Sequence, residues 1–174
     1  GNEKHVLEEN IIYFYYIPDT EHAPYHVDHY KANVAGDGYD LAKSYQGIAD
    51  LNKKITEPVS EYTGFVFDHA EVFHYSKNAS GDWVKDKDPQ MIYNVDAVTG
   101  TVTLGGLDIE IYYKRIDVGY TIRYMQYGTD KVLQTVTQPS THVATFGSEV
   151  SNTAPAELQI GEVIAMPGRK RPVL

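Results

Sequence analysis

Apolar and aromatic residues recur along this chain in short alternating stretches, the pattern that predicts β-strands. The clearest case is Tyr25–Tyr30, in which every second side chain faces the same side. Gly36–Gly38 then predicts a turn, and Tyr39–Tyr45 predicts the returning strand of a hairpin. One short helical turn is expected after Pro58. The pattern therefore predicts a mainly β (α+β) fold with little helix.

Two aromatic stretches, Ile12–Tyr16 and Ile109–Tyr113, resemble each other, and a second strand-like stretch follows each of them. The aromatic stretches are 97 residues apart, and the stretches that follow, which begin at Tyr25 and Tyr120, are 95 apart. A period that changes so little indicates tandem repeat modules. We expect Ile12–Tyr16 to pair with a sheet, either its own or that of a neighbouring repeat, since an unpaired aromatic edge favours association.

The repeat divides the chain into three parts. Residues 1–22 are predicted to be a lead-in and the closing strand of a preceding repeat. Residues 23–116 are predicted to form the first full repeat, with a hairpin insertion at about 70–96. Residues 117–174 are predicted to form a second, shorter repeat, which lacks a closing strand unless Glu162–Ala165 replaces it. Because the chain begins with Gly1, we expect that it was cut from a longer protein.

Composition adds a heavy tyrosine load and an acidic balance. Fifteen tyrosines suit a pleated, half-buried sheet surface, because the ring packs while the hydroxyl stays in water. The net charge is −9 and the cations are scattered, which argues against a nucleic-acid partner. The chain has no cysteine, which excludes disulfides and thiolate metal sites. No apolar run approaches the roughly 20 residues that a membrane span needs.

Histidines and carboxylates raise the question of a metal site. The densest group is His22, His26 and His29 with nearby carboxylates, but on a strand His26 and His29 face opposite sides. The acidic loops 37–40 and 82–88 lack the regular oxygen spacing of a calcium loop. No metal and no cofactor are therefore expected, and these residues are interpreted as surface and core groups.

No set of residues in the sequence indicates an enzyme active site. The chain lacks a G-x-S-x-G elbow, and its paired glycines are followed by strand patterns, not by a helix that could receive phosphate. We therefore predict no catalytic residues. The sequence is compatible with an internal Lys–Asn isopeptide crosslink and does not decide whether one forms.

Exposed aromatic residues are the best candidates for ligand binding. Trp83 lies on a predicted hairpin and Tyr93 follows it, and a ring in such a place can stack on a sugar or anchor a protein contact. The alternative is that Trp83 packs against its own hairpin.

The order of these motifs resembles the mucin-binding-protein (MucBP) type of repeat in Gram-positive surface proteins. The resemblance covers roughly residues 11–165, and it rests on the order of an Ile-Tyr-Tyr strand, a Tyr-x-Val/Ile-x-His/Tyr strand, a polar hairpin, the turn Tyr62–Phe65 and a closing hairpin from Gly100 to Tyr113. The long insertion and the short last unit depart from that pattern.

The resemblance implies β-grasp-like units strung head to tail outside the cell, on an adhesin anchored to the cell wall. It implies a non-enzymatic module that binds host mucin or another glycoprotein, or that serves as a stalk spacer between neighbouring repeats. Membrane attachment would then come only through a cell-wall anchor elsewhere in the protein. The alternative is an accessory domain of a secreted or cell-wall-anchored enzyme.

Overall fold

The computed structural model describes residues 11–137, 143–160 and 163–165, which form strands and no helix. The fold is mainly β, as predicted, but the helical turn expected after Pro58 is wrong, because residues 59–64 form only coil and a turn. The strands are β1 His22–Ala32, β2 Tyr39–Asp50, β3 Lys54–Pro58, β4 Phe65–Lys77, β5 Trp83–Lys85, β6 Gln90–Ile92, β7 Ala97–Thr101, β8 Leu107–Arg115, β9 Asp117–Gly119, β10 Thr121–Met125, β11 Val132–Thr137, β12 Val143–Thr145, β13 Leu158–Ile160 and β14 Val163–Ala165.

The main sheet has the strand order β2-β1-β8-β4-β5, and β6 also pairs with β4. The two central strands, β1 and β8, are parallel, whereas all other pairs in this sheet are antiparallel. The parallel register runs from Tyr25 opposite Leu107 to Lys31 opposite Tyr113. The first and last strands of this sheet in chain order are thus neighbours that point the same way.

The core lies between this sheet and the two-stranded ladder β3–β7. Strand alternation buries Val27 of β1 and Ile109 and Ile111 of β8 completely, and burying each isoleucine stabilises the fold by about 1.5–3 kcal/mol. The backbone of β7 lies directly on the sheet, because a Cβ at Gly100 would be 2.8 Å from Leu107 Cδ1. The predicted closing strand is therefore a central core strand.

The predicted insertion at 70–96 begins later than expected. Residues 70–77 are the second half of β4, and Ala70 and Val72 are buried in the core. The inserted hairpin consists of β5, β6 and their turns, and its tip lies at 78–81, where Gly81 has a φ of +81°. The boundary was missed because a core strand and a hairpin arm show the same alternation.

The stretch Ile12–Tyr16, predicted to be a strand, is not one in this structure. Residues 11–17 pair with no described strand, and Tyr16 is 88% and Ile17 94% exposed. β1 starts only at His22, after Asp19 Oδ1 accepts hydrogen bonds from the backbone N–H groups of Glu21 and His22 at 2.8 and 2.9 Å. Pairing with this chain's own described sheet is thus wrong, and pairing with a neighbour's sheet stays a prediction.

Beyond Arg115 the described residues form three two-stranded ladders, β9–β12, β10–β11 and β13–β14. The hairpin β10–β11 confirms the strand-like stretch predicted from Tyr120, and its turn contains Gly128 with a φ of +73°. Of the predicted replacement strand Glu162–Ala165, residues Val163–Ala165 form β14, which pairs with β13. Residues 1–10, 138–142, 161–162 and 166–174 lie outside the described residues, and so do the predictions that fall on them.

Candidate functional site

The side of the main sheet opposite the core, called the open face below, carries tyrosines and carboxylates. It arises because the residues between the buried positions of each strand point away from the core. Its members come from four neighbouring strands. They are Asp28 and Tyr30 of β1, His69, Glu71, Phe73 and Tyr75 of β4, Lys85 of β5, and Asp108, Glu110 and Tyr112 of β8.

Five rings form an aromatic row along one end of the open face. Tyr112 stacks on Tyr30 with centroids 5.2 Å apart and on His69 at 4.6 Å. Tyr39 meets Tyr112 edge-on at 4.9 Å, and Tyr93 lies 6.2 Å from His69. Tyr112 and His69 are covered by their neighbours in the row, whereas Tyr39 and Tyr93 are the most exposed of its rings, at 47% and 57%.

Two hydroxyl groups of the row are paired with carboxylates on the same strand. Tyr112 Oη donates to Glu110 Oε2 at 2.7 Å, and Tyr30 Oη donates to Asp28 Oδ2 at 3.3 Å. Burial, together with these carboxylates, raises the pKa of Tyr112 and of Tyr30 above the usual tyrosine range. Both hydroxyls therefore stay protonated at neutral pH, and the remaining carboxylate oxygen sites can accept further hydrogen bonds.

A lysine and two carboxylates occupy the other end of the open face. Lys85 Nζ lies 2.5 Å from Glu110 Oε1, 3.0 Å from Asp108 Oδ2 and 4.0 Å from the centroid of Phe73. Burial lowers the pKa of Lys85, but the hydrogen bonds to the two carboxylates outweigh it and leave this pKa raised. Lys85 is thus a fixed cation that neutralises part of the acidic surface.

Asp108 also has an oxygen without a hydrogen bond. Its Oδ1 is buried, and the closest cationic group, His26 Nδ1, lies 3.3 Å away without hydrogen-bonding geometry. The contact is therefore only ionic, and only while His26 is protonated. A shallow pocket lined by Pro24, His26, Gln46, Gly47 and Ile48 lies beside this contact.

The two residues predicted to bind ligand lie at separate places. Tyr93, 57% exposed, ends the aromatic row, whereas Trp83, 41% exposed, lies with Lys77 Nζ 5.4 Å from its ring. The pairing of Lys77 with Trp83 and of Ala70 with Ile92 separates the two sites by about 23 Å along β4. They do not form one site, and ligand binding at either stays a prediction.

Trp83 packs against a loop that sequence reasoning did not connect with it. A Cβ at Gly105, which has a φ of +97°, would lie 2.4 Å from Trp83 Cε3. The indole thus covers the β7–β8 turn in addition to contacting its own hairpin through Lys77. Trp83 is therefore a packed ring of which only a part, 41%, is exposed.

A polar cluster lies on the core face of the sheet. His29 is fully buried, and its Nδ1 and Nε2 lie 2.9 Å from Tyr113 Oη and from Glu57 Oε1. Lys43 Nζ donates to Glu57 Oε1 at 2.7 Å, and Tyr45 Oη donates to Glu57 Oε2 at 2.6 Å. This buried carboxylate therefore accepts hydrogen bonds on both oxygens, which offsets the cost of burying its charge.

The hydrogen bonds assign the tautomer of His29. Tyr113 Oη accepts from the backbone N–H of Ser60 at 2.8 Å, which leaves its own hydrogen for His29 Nδ1. The His29 Nε2–H then donates to Glu57. Burial lowers the pKa of His29, which keeps the ring neutral. Burial raises the pKa of Glu57, but hydrogen bonds from Lys43, Tyr45 and His29 outweigh it and leave this pKa lowered.

Strand alternation places His29 on the same face as Val27, and this is the sequence signal for its burial. It did not reveal Glu57 or Lys43 as its partners, since they come from other strands. Among the described residues no group of three or more histidines and carboxylates is arranged to hold a metal ion.

A second set of contacts joins the main sheet to the chain that follows it, and is called the unit junction below. Arg115 donates from Nε to Ala32 O at 2.9 Å and from Nη1 to Phe146 O at 2.7 Å. Its guanidinium carbon lies 4.8 Å from the centroid of Phe65, which meets Phe146 edge-on at 6.3 Å. A Cβ at Gly64 would lie 2.0 Å from the Phe146 ring, so this close approach requires glycine.

Within the part of the chain that the structure describes, no helix is long and apolar enough to cross a membrane. No family model matches the chain, and neither the curated proteins nor the solved structures contain a significant match to it.

Proposed function

We propose that the chain is a non-enzymatic module of a bacterial cell-surface adhesin, outside the cell, in which residues 23–116 act as a spacer unit. The observation that carries the proposal is the parallel pairing of β1 with β8. Because the first and last strands of the main sheet point the same way, the chain enters the unit at one end and leaves at the other. A stalk gains length from units of this kind.

The length that each unit adds to a stalk follows from the length of its strands. β1 spans 11 residues, and Arg115 at the end of β8 lies level with the residues that end β1, as its bond to Ala32 O requires. Entry and exit are thus separated by about 36 Å, at 3.3 Å per strand residue.

The pairing of the next strands supports tandem β-grasp-like repeats. In β9–β12, Asp117 is opposite Thr145 and Val118 is opposite Ala144, which is the pairing of His22 with Asp50 and of Ala23 with Ala49 moved by 95 residues. The backbone hydrogen bond from Phe146 N to Ile116 O likewise repeats that from Leu51 N to Glu21 O, and both are 2.9 Å long. This displacement of 95 residues equals the spacing in the sequence between the stretches that begin at Tyr25 and Tyr120.

The strand order of the main sheet supports the β-grasp-like part of the proposal. The order is β2-β1-β8-β4, with a parallel central pair and antiparallel outer pairs. The ladder β3–β7 covers the core face of this mixed sheet.

A second function, binding the glycans of host mucin or another glycoprotein, is favoured by the open face. Its carboxylate oxygens and tyrosine hydroxyls match the hydroxyl groups of sugars, and the accessible ring of Tyr93 can stack on a sugar face. Such a surface would be displayed along the side of the stalk.

Small-angle X-ray scattering tests the spacer proposal. A variant in which residues 23–116 are duplicated should have a maximum dimension larger by about 36 Å than the original chain. An increase below roughly 10 Å would mean that the units fold back on each other instead of extending. Antibody labelling of intact cells tests the surface location, and absence of label on intact cells together with label on lysed cells would contradict it.

A further inference from the structure

Tension along a string of these units would act on β1 and β8 in opposite directions. The preceding chain pulls β1 from its start at His22, and the following chain pulls β8 from its end at Arg115. Because the strands are parallel neighbours, both forces run along the strands, and their seven paired positions are loaded together in shear. A ladder loaded across its strands opens instead one pair at a time.

Side chains add further links between these two strands. His29 Nδ1 lies 2.9 Å from Tyr113 Oη inside the core, and Tyr30 stacks on Tyr112 at 5.2 Å on the open face. Both faces of the pair are therefore linked, and a slip of one strand past the other breaks both contacts.

One more link lies at the end of the ladder, where Arg115 Nε donates to Ala32 O beyond the last paired residue. Arg115 also binds Phe146 O in the next part of the chain. The residue at the end of the β1–β8 pair thus holds the next unit as well.

We propose that the β1–β8 pair is a mechanical clamp, which carries tension through the unit without unfolding. The biological role of the clamp rests on the proposed spacer function. The force that the pair withstands depends only on the structure of the unit, and it is measured in an experiment separate from the test of the spacer function. The ladder β1–β2 is the internal comparison, because its open end, His22 opposite Asp50, is pulled apart one pair at a time when residues next to these two are pulled.

Single-molecule force spectroscopy on the full chain tests the clamp. The chain has no cysteine, so introduced pairs are unique attachment points. Thr20→Cys with Asp117→Cys loads β1–β8 in shear, and Thr20→Cys with Lys53→Cys unzips β1–β2. At the same loading rate the shear pair should unfold at a force at least about twofold higher, because forced unfolding follows the barrier of the bonds that are loaded together. Equal forces, or a lower force in shear, would overturn the proposal.

Arg115→Ala tests the end of the clamp, and Lys114→Ala is the matched control. Lys114 is the exposed neighbour on β8, and its salt bridge goes to Asp68 of β4 and not to β1. Arg115→Ala should lower the shear force and leave the unzipping force within error, whereas Lys114→Ala should change neither. If Arg115→Ala lowers both forces by the same factor, the residue stabilises the fold in general and is no part of a clamp. Failure of the spacer proposal would appear in the scattering experiment, and failure of the clamp in the ratio of forces.

Discussion

The two faces of the main sheet use the same residue types in different ways. On the core face, Tyr113 and His29 belong to a closed network in which each polar atom has a partner and no atom of the histidine reaches solvent. On the open face, Tyr112 and Glu110 also pair, but the Glu110 side chain is 16% exposed and Tyr93, at the edge of this face, is 57% exposed. Neighbouring residues of β8 thus serve stability on one side and present a surface on the other. The contrast shows that the partners of a tyrosine, and not its presence in a strand, decide its role.

The core face should give the largest response to substitution. Ile109→Ala removes a fully buried side chain and is expected to lower the free energy of unfolding by about 2–5 kcal/mol. Val66→Ala, at a 44% exposed position of β4, is the control and should cost about 0.5 kcal/mol or less. Urea unfolding measures both, and similar losses for the two variants would contradict the assignment of the faces.

The polar cluster should make the core face sensitive to acid. His29 has a lowered pKa in the folded state, so below pH 6.5 the unfolded chain takes up a proton that the folded chain resists. Glu57 acts in the same direction below pH 4.5, because its pKa is lowered as well. Stability is therefore fully present above these values and is lost as the pH falls, by at most about 1.4 kcal/mol per pH unit for each proton.

The acid response is checked by urea unfolding between pH 7.5 and 4. His29→Gln should remove the decline that begins below pH 6.5, whereas His26→Gln, at a half-buried position of the same strand, controls for the loss of a histidine. A decline that is unchanged in His29→Gln would show that the buried ring is not its source.

The unit junction should give a smaller effect, for which the chain offers a matched pair of glycines. Gly64 and Gly81 have φ angles of +82° and +81°, but only Gly64 has a neighbour within 4 Å, the Phe146 ring at 2.0 Å. Alanine at either position costs about 1–2 kcal/mol through the left-handed backbone. Gly64→Ala should cost more than Gly81→Ala and should also displace the Phe146 resonances in NMR spectra. Equal costs and unmoved resonances would mean that Phe146 does not pack there in solution.

The open face should show the smallest effect on stability and the clearest effect on binding. Tyr93→Ala removes a mostly exposed ring and is expected to change stability by about 0.5 kcal/mol or less. On a glycan array it should reduce any signal that the parent chain gives, while Trp83→Ala, about 23 Å away along β4, is the control. Loss of signal with Trp83→Ala alone would move the binding surface to the β5 hairpin, and no signal from the parent would leave the spacer role alone.

Local patterns predicted the hairpins and the two faces of the strands well. The alternation of Tyr25–Tyr30 and of Ile109–Tyr113 identified β1 and β8, and the period of 95 recurs in the pairing of β9 with β12. Alternation does not indicate which strands pair with each other, however, so it could not predict the parallel pairing of β1 with β8. The same limit explains why the sequence predicts an insertion from residue 70 and a strand at Ile12–Tyr16.

The polar partners were beyond local prediction for a related reason. Glu57 lies 28 residues from His29 and 14 from Lys43, and its burial depends on β3 folding over the sheet. The aromatic row depends likewise on five separate segments being brought together. Only Tyr93, at its end, was visible as an exposed aromatic residue next to a turn.

The central claim, that the chain enters and leaves the first unit at opposite ends, is tested most directly by a distance measurement. Spin labels on Thr20→Cys and Asp117→Cys in the full chain, measured by double electron–electron resonance, should be roughly 40 Å apart. Labels on Thr20→Cys and Lys53→Cys should be less than roughly 20 Å apart, because Leu51 N bonds to Glu21 O beside them. A Thr20–Asp117 distance as short as that of the second pair would contradict the parallel pairing of β1 with β8, and the spacer and clamp proposals with it.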